Sequence, residues 1–139
     1  MNDIEKTFKD VTAEDIKNAL VADIKRVTHW DLPVLIIDDE EWAVAKSEEE
    51  ANKAARQAVE DSICYFRPDF LAAHSNVPEE VFVFLTNKCF DNNEAYKSMI
   101  YDMDDFIDDA IDADGRGHFL NSCDSKEYKI GEYFLYRID

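Results

Sequence analysis

The chain has 139 residues, 46% of them apolar and 12% aromatic, with three glycines, three prolines and a net charge of −17. That length suits one domain with a sizeable core, and the apolar content is too high for a disordered chain. So large a negative charge excludes a basic face for DNA phosphate or an anionic membrane, and its self-repulsion asks for a reason.

The charge is uneven. Residues 31–50 carry eight acids against one base, and residues 98–114 carry seven acids against none. Fourteen of the seventeen excess negatives therefore sit in two short stretches. A chain acidic for general solubility would spread them.

In chain order, residues 1–10 form a lead-in, with Ile4 and Phe8 as docking points. They lack the basic and apolar regions of a signal peptide, which predicts a cytoplasmic protein. Three cysteines, odd in number and in no C-x-x-C pair, point the same way, to a reducing compartment. No apolar run reaches 18 residues, so no membrane span is expected.

Thr12 suits an N-cap, and Ile16, Leu20, Ile24 and Val27 recur at helical spacing, predicting a helix from Thr12 to about His29. Val34 to Ile37 reads as a buried strand and Glu41 to Lys46 as a second, with Trp42 and Val44 on one face. Asp38, Asp39, Glu40 and Glu41 make the hairpin's acidic tip. Ser47-x-x-Glu50 is a capping box, opening a helix to Phe66 whose inner face runs through Ala51, Ala54, Ala55, Ala58, Val59, Ser62 and Ile63. Pro68 suits the first position of a short helix through Ala73. A further helix is predicted from Pro78 to about Phe90, with Val81, Phe82, Leu85 and Cys89 or Phe90 inward. His29 and His74 fall at predicted helix ends, where the dipole favours them.

Asp91 or Asn92 then caps a long acidic helix that includes SMIYDMDDFIDDAIDAD, Ser98 to Asp114. Met99, Ile100, Met103, Phe106, Ile107, Ala110 and Ile111 give it a core face. Asp102, Asp104, Asp105, Asp108, Asp109, Asp112 and Asp114 line the other side. Aspartate is a mediocre helix former and opposes the dipole toward a C-terminus, so local rules are broken here without structural gain. Such breaks mark function. Gly115 and Gly117 terminate the helix. Gly117 to Asn121 and Tyr128 to Ile138 read as strands joined by a polar turn.

The tail, Asp112-Ala113-Asp114-Gly115-Arg116-Gly117-His118-Phe119-Leu120 with the closing EYFLYRID, resembles a pattern in small acidic phage-encoded proteins. The looser run WAVAKSEEEANKAARQAVEDSICYF fits the same group. The resemblance implies a viral protein acting in the host cell cytoplasm, and it brings no catalytic signature with it.

Other constellations are weaker. With Gly115 at position 6 of a calcium loop, Ala110 and Asn121 fall at the anchor positions 1 and 12, so no specific ion is expected at Asp112 and Asp114. Gly115-Arg116-Gly117 reads as a turn and not as an anion nest, because seven aspartates precede it. His118, Cys123 and Asp124 could supply a thiol nucleophile and its base, but negative surroundings raise a thiol pKa. Neither a metal nor a cofactor is therefore expected.

The expected fold is α+β, one domain of residues 1–139, with four or five helices on a small, mainly antiparallel sheet of two hairpins. The expected function is non-enzymatic. The seven aspartates, with Asp38, Asp39, Glu40 and Glu41, form a partner-binding surface that imitates nucleic-acid charge. It would block a basic nucleic-acid-binding host protein of the restriction or CRISPR type without touching nucleic acid or membrane itself. One rival reading is an interaction module that docks through the hydrophobic hairpin, its acidity serving solubility. Another is a small metal-dependent hydrolase using the Asp112 to His118 region.

Overall fold

The structure, a computed structural model, describes residues 10–22 and 26–139. Residues Ile4, Phe8 and Ile24 of the sequence reading lie outside the described residues. The chain divides into two compact units, residues 1–55 with 114–139, and residues 56–113.

In the first unit, α1 (Ala13–Ala22) is held at its start by a reciprocal pair. Thr12 N–H donates to the Asp15 carboxylate at 3.1 Å, and Asp15 N–H donates to Thr12 Oγ1 at 3.2 Å. Ile16 and Leu20 are buried, as their spacing predicts. The helix does not run to His29, however. Arg26 to His29 are non-helical, and Val27 pairs with Pro33 in an isolated bridge. Thr28 explains this: its Oγ1 accepts from the Trp30 and Leu32 N–H groups, an alternative to helix that threonine offers its own backbone.

The α+β class and an antiparallel sheet of two hairpins are as expected, but the second hairpin forms within residues 128–137 and not between 117–121 and 128–138. Strands β1 (Val34–Ile37), β2 (Glu40–Ala45), β3 (Tyr128–Ile130) and β4 (Tyr133–Arg137) form one antiparallel sheet in the order β1-β2-β4-β3. Leu35 faces Trp42 and Val44 faces Leu135 across the ladders. These side chains join Ile16, Leu20, Tyr128, Ile130 and Tyr133 in one core cluster, in which the Trp42 ring meets Tyr128 edge-on at 5.4 Å. Tyr133 to Tyr136 are all buried, so both faces of β4 are covered.

One expected strand is a helix. Gly117 to Asn121 has strand-like aromatic and apolar content, yet Arg116–Leu120 is a short helix, much shorter than α2 (Glu48–Glu60) earlier in the chain. Gly115, at φ +85, separates it from the acidic helix before it. The side chain of the buried Asn121 draws the next loop tight: Oδ1 accepts from Cys123 and Asp124 N–H, and Nδ2 donates to Lys126 C=O at 2.9 Å. Gly117 then lies against that loop, where a Cβ would stand 2.6 Å from the Lys126 carbonyl carbon.

In the second unit, α2 finishes and a 3-10 turn (Ile63–Tyr65) follows, so the helix stops short of Phe66. Next come α3 (Pro68–Ala73), α4 (Glu79–Asn87), α5 (Asn93–Met99) and α6 (Met103–Asp114); the Arg116–Leu120 helix is α7. Counting α1 and α2, the described residues hold seven α-helices. Pro68 opens α3 as predicted. Helix α4 buries Phe82 but ends at Asn87, and Val81, Cys89 and Phe90 are exposed where they were expected inward. Asn92 caps α5, its side chain accepting from Ala95 N–H. The single long acidic helix is in fact two, α5 and α6. Ile100 leaves the helix to bridge Ser75, and Asp102 starts a new one by accepting from Asp105 N–H at 3.1 Å. The unit's interior holds Ile63, Leu71, Phe82, Tyr96, Phe106 and Ile107.

Replacing Gly117 with Ala should lower stability by about 1–3 kcal/mol, because the methyl meets backbone and not a flexible side chain. Urea unfolding measures this, and an unchanged midpoint would show that the loop gives way.

Candidate functional site

The acidic row sits on the exposed face of α6, with Phe106, Ile107 and Ala110 holding the helix by its other side. The i, i+4 spacing sorts its carboxylates into pairs. Asp104 and Asp108 share the Arg56 guanidinium: Nη2 donates to Asp104 at 3.0 Å, and Nη1 donates to Asp108 in a short contact. The Asp108 hydrogen bond, followed by the attraction of both carboxylates, outweighs partial burial and holds the Arg56 pKa above its ordinary value.

Asp105 and Asp109 form the second pair, over His74. Its Nδ1 stands 3.6 Å from Asp105 Oδ2 and its Nε2 stands 3.2 Å from Asp109 Oδ2. His74 is the C-cap of α3, as a helix-end histidine should be, but it is only 7% exposed. Phe70 and Phe106 pack on its ring with centroids at 4.9 and 5.3 Å. Its carbonyl accepts from Tyr101 N–H at 3.3 Å, which ties the end of α3 to the α5–α6 break. Asp102 is spent as the α6 N-cap, while Asp112 and Asp114 are exposed.

The sequence reading thus located the aspartates and missed both of their partners. Arg56 lies in α2 and His74 at the C-cap of α3, 52 and 31 residues before Asp108 and Asp105. No local spacing could have joined them. The available signal was compositional: a helix carrying this many aspartates has to find hydrogen-bond donors elsewhere in its unit.

The hairpin tip behaves differently. Asp38 and Asp39 form the two-residue turn, both at positive φ (53° and 66°), and their side chains are exposed. Glu40 is paired to Arg137 at 3.0 Å and Glu41 to Arg26 at 2.9 Å. Of the four tip acids, two are therefore in ion pairs with the sheet or its approach.

In the region of the rival enzyme reading, Arg116 carries the local organisation. Its Nε and Nη2 donate to the two Glu127 oxygens at 2.8 and 3.0 Å, and Nη1 donates to Asn52 at 2.8 Å. The guanidinium also stacks over Phe134 at 5.0 Å. Burial works against the Arg116 charge, and the Glu127 carboxylate more than offsets it, so the pKa is raised. Tyr136, fully buried, donates its hydroxyl to Glu127 as well. His118 is exposed beside Phe119. Asp124 accepts from Tyr128 Oη and from Lys126 N–H, bonds that shape its own loop. All three cysteines are free, and burial pushes the Cys64 thiol up. Among the described residues, the His, Cys, Asp and Glu donors that converge closely enough for a cation are His74, Asp105 and Asp109, and Asp112 and Asp114 are not among them.

No protein-family model, curated protein or solved structure matches the chain. No helix among the described residues is long and apolar enough to cross a membrane.

The Arg116 network yields a pH dependence. Burial, then the hydrogen bond to Glu127, pushes the Tyr136 hydroxyl well above its ordinary value of 10.0. The folded state therefore holds this proton more tightly than the unfolded chain. Its contribution is complete below about pH 10 and is lost as pH rises beyond that. Denaturant titrations from neutral to strongly alkaline pH should show stability declining above about pH 10, with a shallower decline in Tyr136→Phe.

Proposed function

We propose that the protein is a non-enzymatic inhibitor that presents the carboxylates of α6 to the basic nucleic-acid-binding surface of a host protein, of the restriction or CRISPR type. The observation that carries this reading is the state of the acidic row. Its carboxylates stand on an exposed helix face, and the guanidinium of Arg56 fixes two of them in place. Residues 56–113 hold thirteen acids against four Lys or Arg, so that face remains strongly negative after every ion pair is formed. A nucleic-acid channel lined with Lys and Arg meets phosphates spaced about 3.4 Å per strand along the axis. Carboxylates one helical turn apart, about 5–6 Å, offer those cations charge at a comparable pitch. The likeness is one of charge and not of atoms.

The resemblance of the tail to small acidic phage proteins supports a bacterial host's cytoplasm as the site of this activity. The partner would be a DNA- or RNA-binding protein, with no direct contact to nucleic acid or lipid.

A second reading has an observation of its own. Val81, Val83 and Phe84 of α4 are 40%, 41% and 58% exposed, an apolar strip suited to a partner. It moves the interaction-module reading from the hairpin, where Trp42 is buried, to α4.

Affinity capture from bacterial lysate at low and high salt separates the two. Charge mimicry predicts capture of a basic nucleic-acid-binding protein that falls steeply with salt. A variant with Asn at positions 104, 105, 108, 109 and 112 should stay folded, since the changed carboxylates are exposed, the pairs lost to Arg56 are worth about 1 kcal/mol or less each, and Asn at 105 and 109 still offers His74 hydrogen-bond partners. It should lose the capture. Capture that resists salt and survives in this variant, but fails in Phe84→Ser, would replace mimicry with docking on α4.

A further inference from the structure

Helices α3 and α6 bring one imidazole and two carboxylates together, and each has a different kind of freedom. The His74 ring packs against Phe70 and Phe106, which also touch each other at 5.0 Å, and is almost fully buried, with Nδ1 toward Asp105 and Nε2 toward Asp109. The carboxylates of Asp105 and Asp109 are more than half exposed and can adjust by rotation about their own side-chain bonds. One donor atom from each of the three lies within 4.8 Å of the others. The His74 Nε2 to Asp109 Oδ2 distance is 3.2 Å. Two ligands about 2.0–2.1 Å from one zinc-sized ion, at an angle near tetrahedral, are separated by about 3.2–3.4 Å. The row supplying the carboxylates is spaced i, i+4, so both project from one side of α6 toward the ring. A single ion takes one ring nitrogen, so it sits at Nε2 beside Asp109, and Asp105, which stands over Nδ1, reaches it by rotation of its exposed side chain.

We infer that His74, Asp105 and Asp109 form a binding site for a first-row divalent cation of the zinc type, with water completing its coordination. A mixed set of one imidazole nitrogen and two carboxylate oxygens suits zinc, cobalt or manganese better than calcium, which takes six to eight oxygens and has no use for the imidazole. The neighbouring pair, Asp104 and Asp108, is occupied by Arg56, which keeps a guanidinium on the adjacent row instead of in the site. A bound cation would neutralise two carboxylates of α6 and join α3 to α6. Its effect is thus to tighten the second unit. This inference rests on the geometry of residues 56–113 and not on the charge-mimicry reading.

The probe is the metal alone. Calorimetry with Zn²⁺ should give one saturable site per chain. Co²⁺ should produce the visible absorption of an ion with a nitrogen ligand in low coordination. The variant Asp105→Asn/Asp109→Asn, whose changes are exposed, should fold and bind Zn²⁺ at least about tenfold more weakly. His74→Gln should also lose the Co²⁺ spectrum. Asp112→Asn/Asp114→Asn removes the same charge from the same helix and should leave Zn²⁺ binding unchanged. Equal losses in the two double variants, or Ca²⁺ binding the wild-type chain as tightly as Zn²⁺, would overturn the site and leave only diffuse attraction to an acidic helix.

Discussion

Like-charge repulsion along α6 is the constraint that shapes the second unit. Aspartates at i and i+4 destabilise a helix that has no counter-charges, and aspartate has little helical propensity to set against this. Three devices meet the difficulty here. Asp102 is turned from a liability into a cap. Asp104 and Asp108 share one guanidinium, and Asp105 and Asp109 close over one imidazole. The apolar face, led by Phe106, does the rest, since the burial of one large aromatic outweighs several exposed ion pairs.

The first unit solves a different problem with a different device. Its β4 strand is covered on both faces and brings a tyrosine hydroxyl, Tyr136, into the interior. Glu127 accepts that hydroxyl while clamped by Arg116, so three polar groups from β4, α7 and the strand approach satisfy one another. The buried hydroxyl at the inner end of this network needs its Glu127 partner, because an unpaired polar group in the interior is costly. The close seating of Gly117 against residues 125–127 holds α7 in place to complete it.

What could be read from the sequence was whatever depends on neighbours a few residues apart. The Thr12 and Ser47 caps, the proline start of α3, the alternation of β1 and β2 and the apolar face of α6 all follow from local spacing and were legible. The failures share one cause, which is competition settled by distant or side-chain partners. Asp102 looked like one more acid in a helix, but its side chain can cap, and that ended α5 and began α6. Gly117 to Asn121 had strand-like composition, but Asn121 could knit the following loop and Gly117 could approach it closely, so helix prevailed. Val27 had the right period for α1, but Thr28 offered its backbone another bond. For the site, the carboxylates were visible and their partners were not, because His74 meets Asp105 and Asp109 only through the packing of α3 on α6.

The Asp38–Asp39 turn has one more consequence, for the energetics of the hairpin. Both residues hold left-handed backbone, which aspartate tolerates and glycine or asparagine adopts at less cost. The tip therefore carries its two exposed charges at the expense of hairpin stability, and an Asn-Gly turn would hold the same β1–β2 register more firmly. Any engineering of this protein for robustness would begin there, and it would trade away two of the negative charges for which the chain is conspicuous.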